Sequence, residues 1–246
     1  MSMKVLGVIP ARFQSTRLPK KVLQLIGDKP LIQHVWERSL CAKKINRLVV
    51  ATDHDEIMQV VKSFGGEAIL TDPNHTSGTD RIVEVASSCE CDIVINIQGD
   101  EPFISAEAID ALVGAFENNA DLEVATLCHR ETDTVFLTDS NVVKVVKDNN
   151  DYALYFSRAG IPFDREKRQP ESFFKHIGIY AFTKKFLMAF PTLSPSELEE
   201  REKLEQLRIL SNGGKIKVIE TEYDSFGIDT ELDLQHAQKI YSKMQQ

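Results

Sequence analysis

Four short stretches carry the residue types that do chemistry. VINIQGDEP, at 94–102, runs from apolar, β-branched residues straight into Gln98, Gly99, Asp100, Glu101 and Pro102. Gly, Asp and Pro are common turn residues, so an ordinary strand-ending turn accounts for the pattern. The sharper reading makes 93–97 a parallel strand of an open α/β sheet, where the carboxyl ends of the strands form the ligand crevice. Asp100 would then bind a metal ion. PARFQSTRLPKK, at 10–21, brings Arg12, Arg17, Lys20 and Lys21 into one segment with Ser15 and Thr16. Cations balance phosphate charge while hydroxyls and loop N–H groups fix its geometry, so this loop has what a polyphosphate needs. The Gly-x-x-x-x-Gly-Lys-Ser/Thr spacing is absent and no Gly-x-Gly-x-x-Gly follows the first strand, which leaves phosphate binding to side chains. The alternative is a solvated basic loop.

The other two stretches sit at expected helix starts. In TSGTDRIVEVA, at 76–86, Ser77 or Thr79 can cap a helix whose inner face carries Ile82, Val83 and Ala86. Hydroxyls and backbone amides at such a start can also read a pyrimidine edge, so capping and base recognition stay open together. FGIDTELDL, at 226–234, places Asp229 just before a helix capped by Thr230 and Asp233. If the two strands involved lie close in the sheet, Asp229 and Asp100 could hold one Mg²⁺, an ion suited to hard oxygen ligands and substrate phosphates.

Such loops need strands to deliver them. Apolar runs at 5–9, 48–51, 93–97 and 124–127 alternate with helical spacing at 31–42, 56–64, 81–87 and 106–116. Alternating strands and helices predict βαβ units and a mostly parallel central sheet flanked by helices, Rossmann-like in class. From Val142 onward VVKVVKD, YALYFSR and KHIGIYAF read as successive strands, which predicts a small antiparallel subregion, about 133–190, within a single domain spanning 1–246. A helix is expected from Ser194, with Pro195 first in it, a Ser194/Glu197 capping box and Leu198, Leu204 and Leu207 inward, ending at Asn212-Gly213-Gly214. ELEEREKLEQ reads as a solvated helix face with pairs such as Glu199 and Lys203. Trp36 is expected in the core.

The formal charge is −8, from 29 basic and 37 acidic residues, so a nucleic-acid partner is not expected. No apolar run reaches the roughly 18 residues that cross a bilayer, and MSMKVLGVIPARF does not read as a secretory signal, so the expectation is a cytoplasmic protein without a membrane partner. Cys41, Cys89, Cys91 and Cys128 show no Cys-x-x-Cys pair and read as free thiols.

Taken in order, PARFQSTRLPKK, ATDHDEI, SGTDR, NIQGDEP, YALYFSR, HIGIY, LEQLR and GIDT resemble the 3-deoxy-D-manno-octulosonate (Kdo) cytidylyltransferases over about residues 4–240. The resemblance implies a nucleotide-diphospho-sugar transferase-like fold with an antiparallel dimerisation subregion and a homodimer. It also implies transfer of CMP from CTP to Kdo, giving CMP-Kdo and pyrophosphate for lipopolysaccharide synthesis. On the same footing, Arg12 and the lysine after Leu18-Pro19 hold the phosphates, Asp100 and Asp229 bind Mg²⁺, and Ser77, Gly78 and Thr79 lie at the cytosine. Gln98, Arg158, His176, Tyr180, Glu205 and Gln206 match the sugar-acid pocket, where Arg158 could pair with the carboxylate. Many relatives read Leu-Pro-Gly-Lys where this chain has Leu-Pro-Lys-Lys, so Lys21 keeps the family spacing while Lys20 stands in place of glycine. Lys21 is the expected ligand, with Lys20 able to share or take over the role. Residue by residue, plainer roles remain: His176 as a packed histidine, Arg158 as a strand-end cation. Other functions remain open too, namely activation of another acidic sugar, such as 8-amino-Kdo or a sialic acid, and a silent nucleotide-binding regulator.

Overall fold

Val5, Leu6, Val8 and Ile9 are all buried in strand β1 (Val5–Ala11), as a parallel strand covered on both faces requires. The computed structural model describes residues 3–75, 77–166 and 172–245. Thr76 of the 76–86 stretch and residues 167–171 of the 133–190 subregion lie outside them. The chain divides into two compact units, residues 1–110 with 225–246, and residues 111–224.

The first unit follows the alternation. After β1 come a small hairpin, β2 (Leu25–Ile26) and β3 (Lys29–Pro30), then α1 (Leu31–Ser39), β4 (Arg47–Thr52), α2 (Asp55–Ser63), β5 (Ala68–Leu70), α3 (Gly78–Ser88), β6 (Ile93–Asn96) and α4 (Ala106–Glu117), inside which the unit boundary falls. Its strands run parallel in the order β6-β1-β4-β5. Trp36 is 6% exposed, in the core as expected. The inner face of α3 is Ile82, Val85 and Ala86, so Val85 replaces the expected Val83.

The second unit holds β7 (Val124–Glu131), α5 (Thr134–Thr138), β8 (Lys144–Lys147), β9 (Ala153–Ser157), β10 (Phe173–Thr183), α6 (Lys184–Ala189), α7 (Glu197–Glu202), α8 (Gln206–Ser211) and β11 (Lys217–Glu220). β7 pairs antiparallel with β10, and β8 antiparallel with both β10 and β9, while β11 joins β7 in parallel. The expected single helix from Ser194 is two short helices. Lys203 takes a left-handed φ of 54° between them, and the N-cap is Ser196, whose hydroxyl accepts from Glu199 N–H, not Ser194. Leu198 is 42% exposed, whereas Leu204 and Leu207 are buried. Glu199 pairs with Arg208 at 2.5 Å instead of Lys203, because the break carries Lys203 off the α7 face. The chain then returns to the first unit as α9 (Glu231–Met244), capped by the expected Thr230/Asp233 box.

No helix among the described residues is long and apolar enough to cross a membrane.

Candidate active site

In a parallel sheet all strands end at the same edge, and the loops leaving β1, β4 and β6 there carry Arg12, Asp53 and Gln98 to Asp100. Gly99 makes their approach possible. A Cβ at that position would lie 2.7 Å from the Pro10 carbonyl oxygen, closer than any side chain tolerates. The glycine therefore lets the turn after β6 lie against the end of β1 and sets Asp100 beside the basic loop. Ile228 N–H donates to the Asp100 carbonyl at 2.9 Å and draws the 226–229 segment to the same place.

Asp100 and Asp229 converge on one group, the ammonium of Lys21. Lys21 Nζ lies 2.6 Å from Asp100 Oδ2 and 3.0 Å from Asp229 Oδ1, and Arg17 takes the other Asp229 oxygen at 2.9 Å. Burial of the Lys21 ammonium pulls its pKa down, but the two carboxylates outweigh it and hold it above the usual lysine value, so it stays charged at neutral pH. Two lysines adjacent in sequence thus part company. Lys20 turns away to Glu56 at 2.9 Å and sits in the left-handed region at φ 50°, the conformation that favours glycine. The register of the loop aims Lys21, not Lys20, at the paired carboxylates.

A cleft of about 210 Å³ opens at this edge. Its wall includes Arg12, Ser15, Lys21, Ser77, Gly78, Gln98 and Asp100; Thr16, Arg17, Lys20 and Asp229 lie outside that wall. Thr79, 5% exposed, is buried behind the start of α3. Ser77 caps that helix reciprocally with Asp80, which leaves the α3 N-terminus at the cleft and favours negative charge there.

Residues without an assigned role hold the basic loop in place. Asp53 accepts from Phe13 N–H at 2.9 Å and pairs with Arg81 at 3.2 Å. The Phe13 ring stacks on His54 at 3.7 Å, and the Lys20 ammonium lies 4.9 Å from its centre. Arg81 is 4% exposed, also donates to Thr71 and lines the cleft. A charge beside Ile82 on the inner face of an amphipathic helix was the available signal. Asp53 and His54, within ATDHDEI, offered none beyond their position after a strand.

The remaining sugar-pocket candidates lie in the second unit. His176 and Tyr180 stand on β10, where the register shifts between Ile177 and Tyr180. His176 meets Thr126 Oγ1 at 3.0 Å and packs edge-on against Phe156. Desolvation lowers its pKa to about 3, so the ring is neutral. Tyr180 is 8% exposed, with its hydroxyl buried beside Thr126. Burial, opposed by the Thr126 side chain and reinforced by the Glu205 charge, holds its pKa well above the ordinary tyrosine value. Glu205 stands at the position before α8, making no side-chain capping bond, and Gln206 begins the helix. Arg158 is not a loose strand-end cation: its guanidinium donates to the Glu202 and Ser140 carbonyls at 2.8 and 2.9 Å, and its N–H to the Glu202 carboxylate at 2.9 Å.

Hard oxygen donors at Asp100 and Asp229 fit a magnesium ion. A second group, His129, Glu131 and Asp224, brings ligand atoms within 4.8 Å of one another. There Asp224 is bonded to Lys175 at 2.7 Å, and one Glu131 oxygen accepts two backbone N–H groups.

A parallel sheet whose edge gathers cations, paired carboxylates and a helix N-terminus defines the class of nucleotidyltransferase-like α/β proteins. A 4-diphosphocytidyl-2C-methyl-D-erythritol synthase from Anaerococcus prevotii shares this fold at a TM-score of 0.68 and 15% identity. The family model for cytidylyltransferases matches residues 6–217. A 3-deoxy-manno-octulosonate cytidylyltransferase from Thermodesulfovibrio yellowstonii is 50% identical across 96% of this chain and 98% of its own. One from Solibacter usitatus is 46% identical across 98% and 96%. A solved CMP:2-keto-3-deoxy-manno-octonic acid synthetase complexed with CTP superposes at a TM-score of 0.94 with 40% identity, covering 98% of this chain and 99% of its own. The chain belongs to the cytidylyltransferase family, among the 3-deoxy-manno-octulosonate cytidylyltransferases.

Proposed function

We propose that this protein transfers CMP from CTP to Kdo, releasing pyrophosphate, as a magnesium-dependent cytoplasmic homodimer that supplies lipopolysaccharide synthesis. The convergence of Asp100, Asp229 and Lys21 at the mouth of a cationic cleft carries this reading, together with relatives of the same name over nearly the whole chain.

In the reaction the anomeric hydroxyl oxygen of the sugar acid attacks the α-phosphorus of CTP. A new P–O bond forms as the bond to the pyrophosphate oxygen breaks, and the hydroxyl proton passes to water. Both reactants are anions, so the protein must hold like charges together and stabilise those that grow on the leaving group. Arg12 is exposed at the cleft wall, where its guanidinium can take phosphate oxygens in pairs. Lys21 supplies a second cation and Ser15 a hydroxyl. Asp100 and Asp229 would hold Mg²⁺, which neutralises phosphate charge when bound. Ser77, Gly78 and Thr79 offer the cytosine a helix start with backbone amides. For the sugar acid, the buried Tyr180 hydroxyl is a polar group already desolvated, while the neutral His176 ring and the Arg158 guanidinium are already ordered by Thr126 and by the Glu202 and Ser140 carbonyls.

Pyrophosphate release tests the reading directly, with CTP, UTP and ATP each crossed with Kdo, 8-amino-Kdo and N-acetylneuraminate in Mg²⁺. Release with CTP and Kdo is expected. Turnover with a different sugar acid only would move the acceptor assignment, and CTP binding without any turnover would put a regulator in its place.

A further inference from the structure

We propose that Lys21 and Arg17 are resident counter-ions that guard the Asp100 and Asp229 carboxylates against a free divalent cation, so that the metal enters only with a nucleoside triphosphate. The proposal rests on the magnesium reading above and concerns what the chain's own cations do before nucleotide arrives.

The charges of the cluster cancel. Asp100 and Asp229 bring two negative charges; Lys21 and Arg17 bring two positive ones, and three contacts of 2.6, 2.9 and 3.0 Å join them. Lys21 bridges both carboxylates from a side chain 16% exposed, so water screens it poorly. A divalent cation arriving alone must share oxygens already bonded to an ammonium, or eject the ammonium into a cleft with no anion to receive it.

A triphosphate changes the count. It can dock first on Arg12, which stands outside the cluster at the cleft wall. Its oxygens then give Lys21 a better partner, and the long lysine stem lets the ammonium cross from carboxylate to phosphate without moving the backbone. Arg17, 61% exposed, is free to swing with it. The carboxylates are released as the anion arrives, and the divalent ion restores neutrality. Linkage makes the effect mutual: whatever factor the nucleotide adds to metal affinity, the metal adds to nucleotide affinity.

The test is Mn²⁺ binding to the nucleotide-free full chain, read by the electron paramagnetic resonance signal of the free ion. Wild type should bind weakly. Lys21→Gln should bind roughly tenfold tighter, within the usual range of coupling between sites. Lys21→Arg, which keeps the charge, should stay near wild type, and Asp100→Asn placed on Lys21→Gln should erase the gain. Arg17→Gln should tighten binding less, because Arg17 touches Asp229 alone. A Lys21→Gln protein whose Mn²⁺ affinity equals wild type overturns the proposal. Should that variant not fold, an Arg17→Gln protein with no gain overturns it instead. Calorimetry of CTP binding with and without Mg²⁺ in Asp100→Asn and Asp229→Asn keeps the two readings apart. Unchanged magnesium dependence there defeats the magnesium reading itself, whereas lost dependence beside an unresponsive Lys21→Gln defeats this proposal alone.

Discussion

Two polar clusters, one in each unit, are built in opposite ways. In the first, charges at the sheet edge are paired with one another, Lys21 and Arg17 against Asp100 and Asp229, with Arg17 and Asp229 open to water and Lys21 largely covered. In the second, a set of polar groups is taken out of water: His176 is neutral among rings, the Tyr180 hydroxyl is buried, and Lys144 is fully buried. Each cluster is thereby suited to a different kind of ligand. An open, self-cancelling cluster can exchange internal ion pairs for those of a polyanion at little net cost in charge. A desolvated set has already lost its water, so a ligand that matches it recovers hydrogen bonds without that cost.

The sharpest break of the comparison is Asp100→Asn. If the first unit works through exchangeable charge, losing one carboxylate should lower turnover by roughly 10²-fold or more while leaving the thermal midpoint nearly unchanged. A folded Asp100→Asn protein with wild-type turnover would remove that residue from the chemistry.

In the second unit a lost charge should act on stability instead. Lys144 Nζ donates to the carbonyls of Asp139, Val142 and Arg158 at 2.9, 2.6 and 2.5 Å. Lys144→Met leaves three acceptors without their donor. A loss of about 2–4 kcal/mol is expected, read from the urea midpoint, with a much smaller relative change in turnover than Asp100→Asn. Equal effects on turnover from the two variants would erase the distinction between the units.

These contrasts were unevenly legible in the sequence. The runs at 5–9, 48–51 and 93–97 announced themselves because the core of a buried parallel strand is continuously apolar, and they fall on β1, β4 and β6. Thr230 and Asp233 were legible as a cap because that motif is local. The break at Lys203 was not. ELEEREKLEQ has no Gly or Pro, and its two helices are fixed by distant partners: Glu202 receives Ser157 Oγ at 2.6 Å, and Glu199 receives Arg208. Asp53 and Arg81 escaped for the same reason, since their bond spans 28 residues. The convergence of Asp100 with Asp229 could be posed from the motifs, but only the three-dimensional arrangement shows Lys21 between them.

A pH titration sharpens the comparison at intermediate cost. The His176 pKa falls from 6.5 to about 3 in the folded protein, because burial disfavours the charged ring. The unfolded chain therefore binds more protons across that interval. The stability tied to the neutral ring is fully present above pH 6.5 and is lost as pH falls toward 3. One such proton gives a slope approaching about 1.4 kcal/mol per pH unit. Urea midpoints measured from pH 7 to pH 4 should fall less steeply in His176→Phe than in wild type. Parallel curves would mean that the ring titrates normally and that the second unit is not desolvated there.

The smallest effect is expected where the two lysines part. Lys20→Gly removes an exposed pair with Glu56, worth about 0–1 kcal/mol, and the cation over Phe13. It also relieves a left-handed backbone, which costs an ordinary residue roughly 1–2 kcal/mol, against the greater freedom glycine loses on folding. These terms nearly cancel, so the variant should melt within a few degrees of wild type, and because the Lys20 side chain points to Glu56 its turnover should hold. Lys21→Gln should lose turnover by a factor comparable to Asp100→Asn. Measured side by side, a Lys20→Gly protein as inactive as Lys21→Gln would show that both lysines reach the phosphates. In that case Lys20 leaves Glu56 when nucleotide binds, and the exchange of ion pairs inferred for Lys21 extends to the whole basic loop.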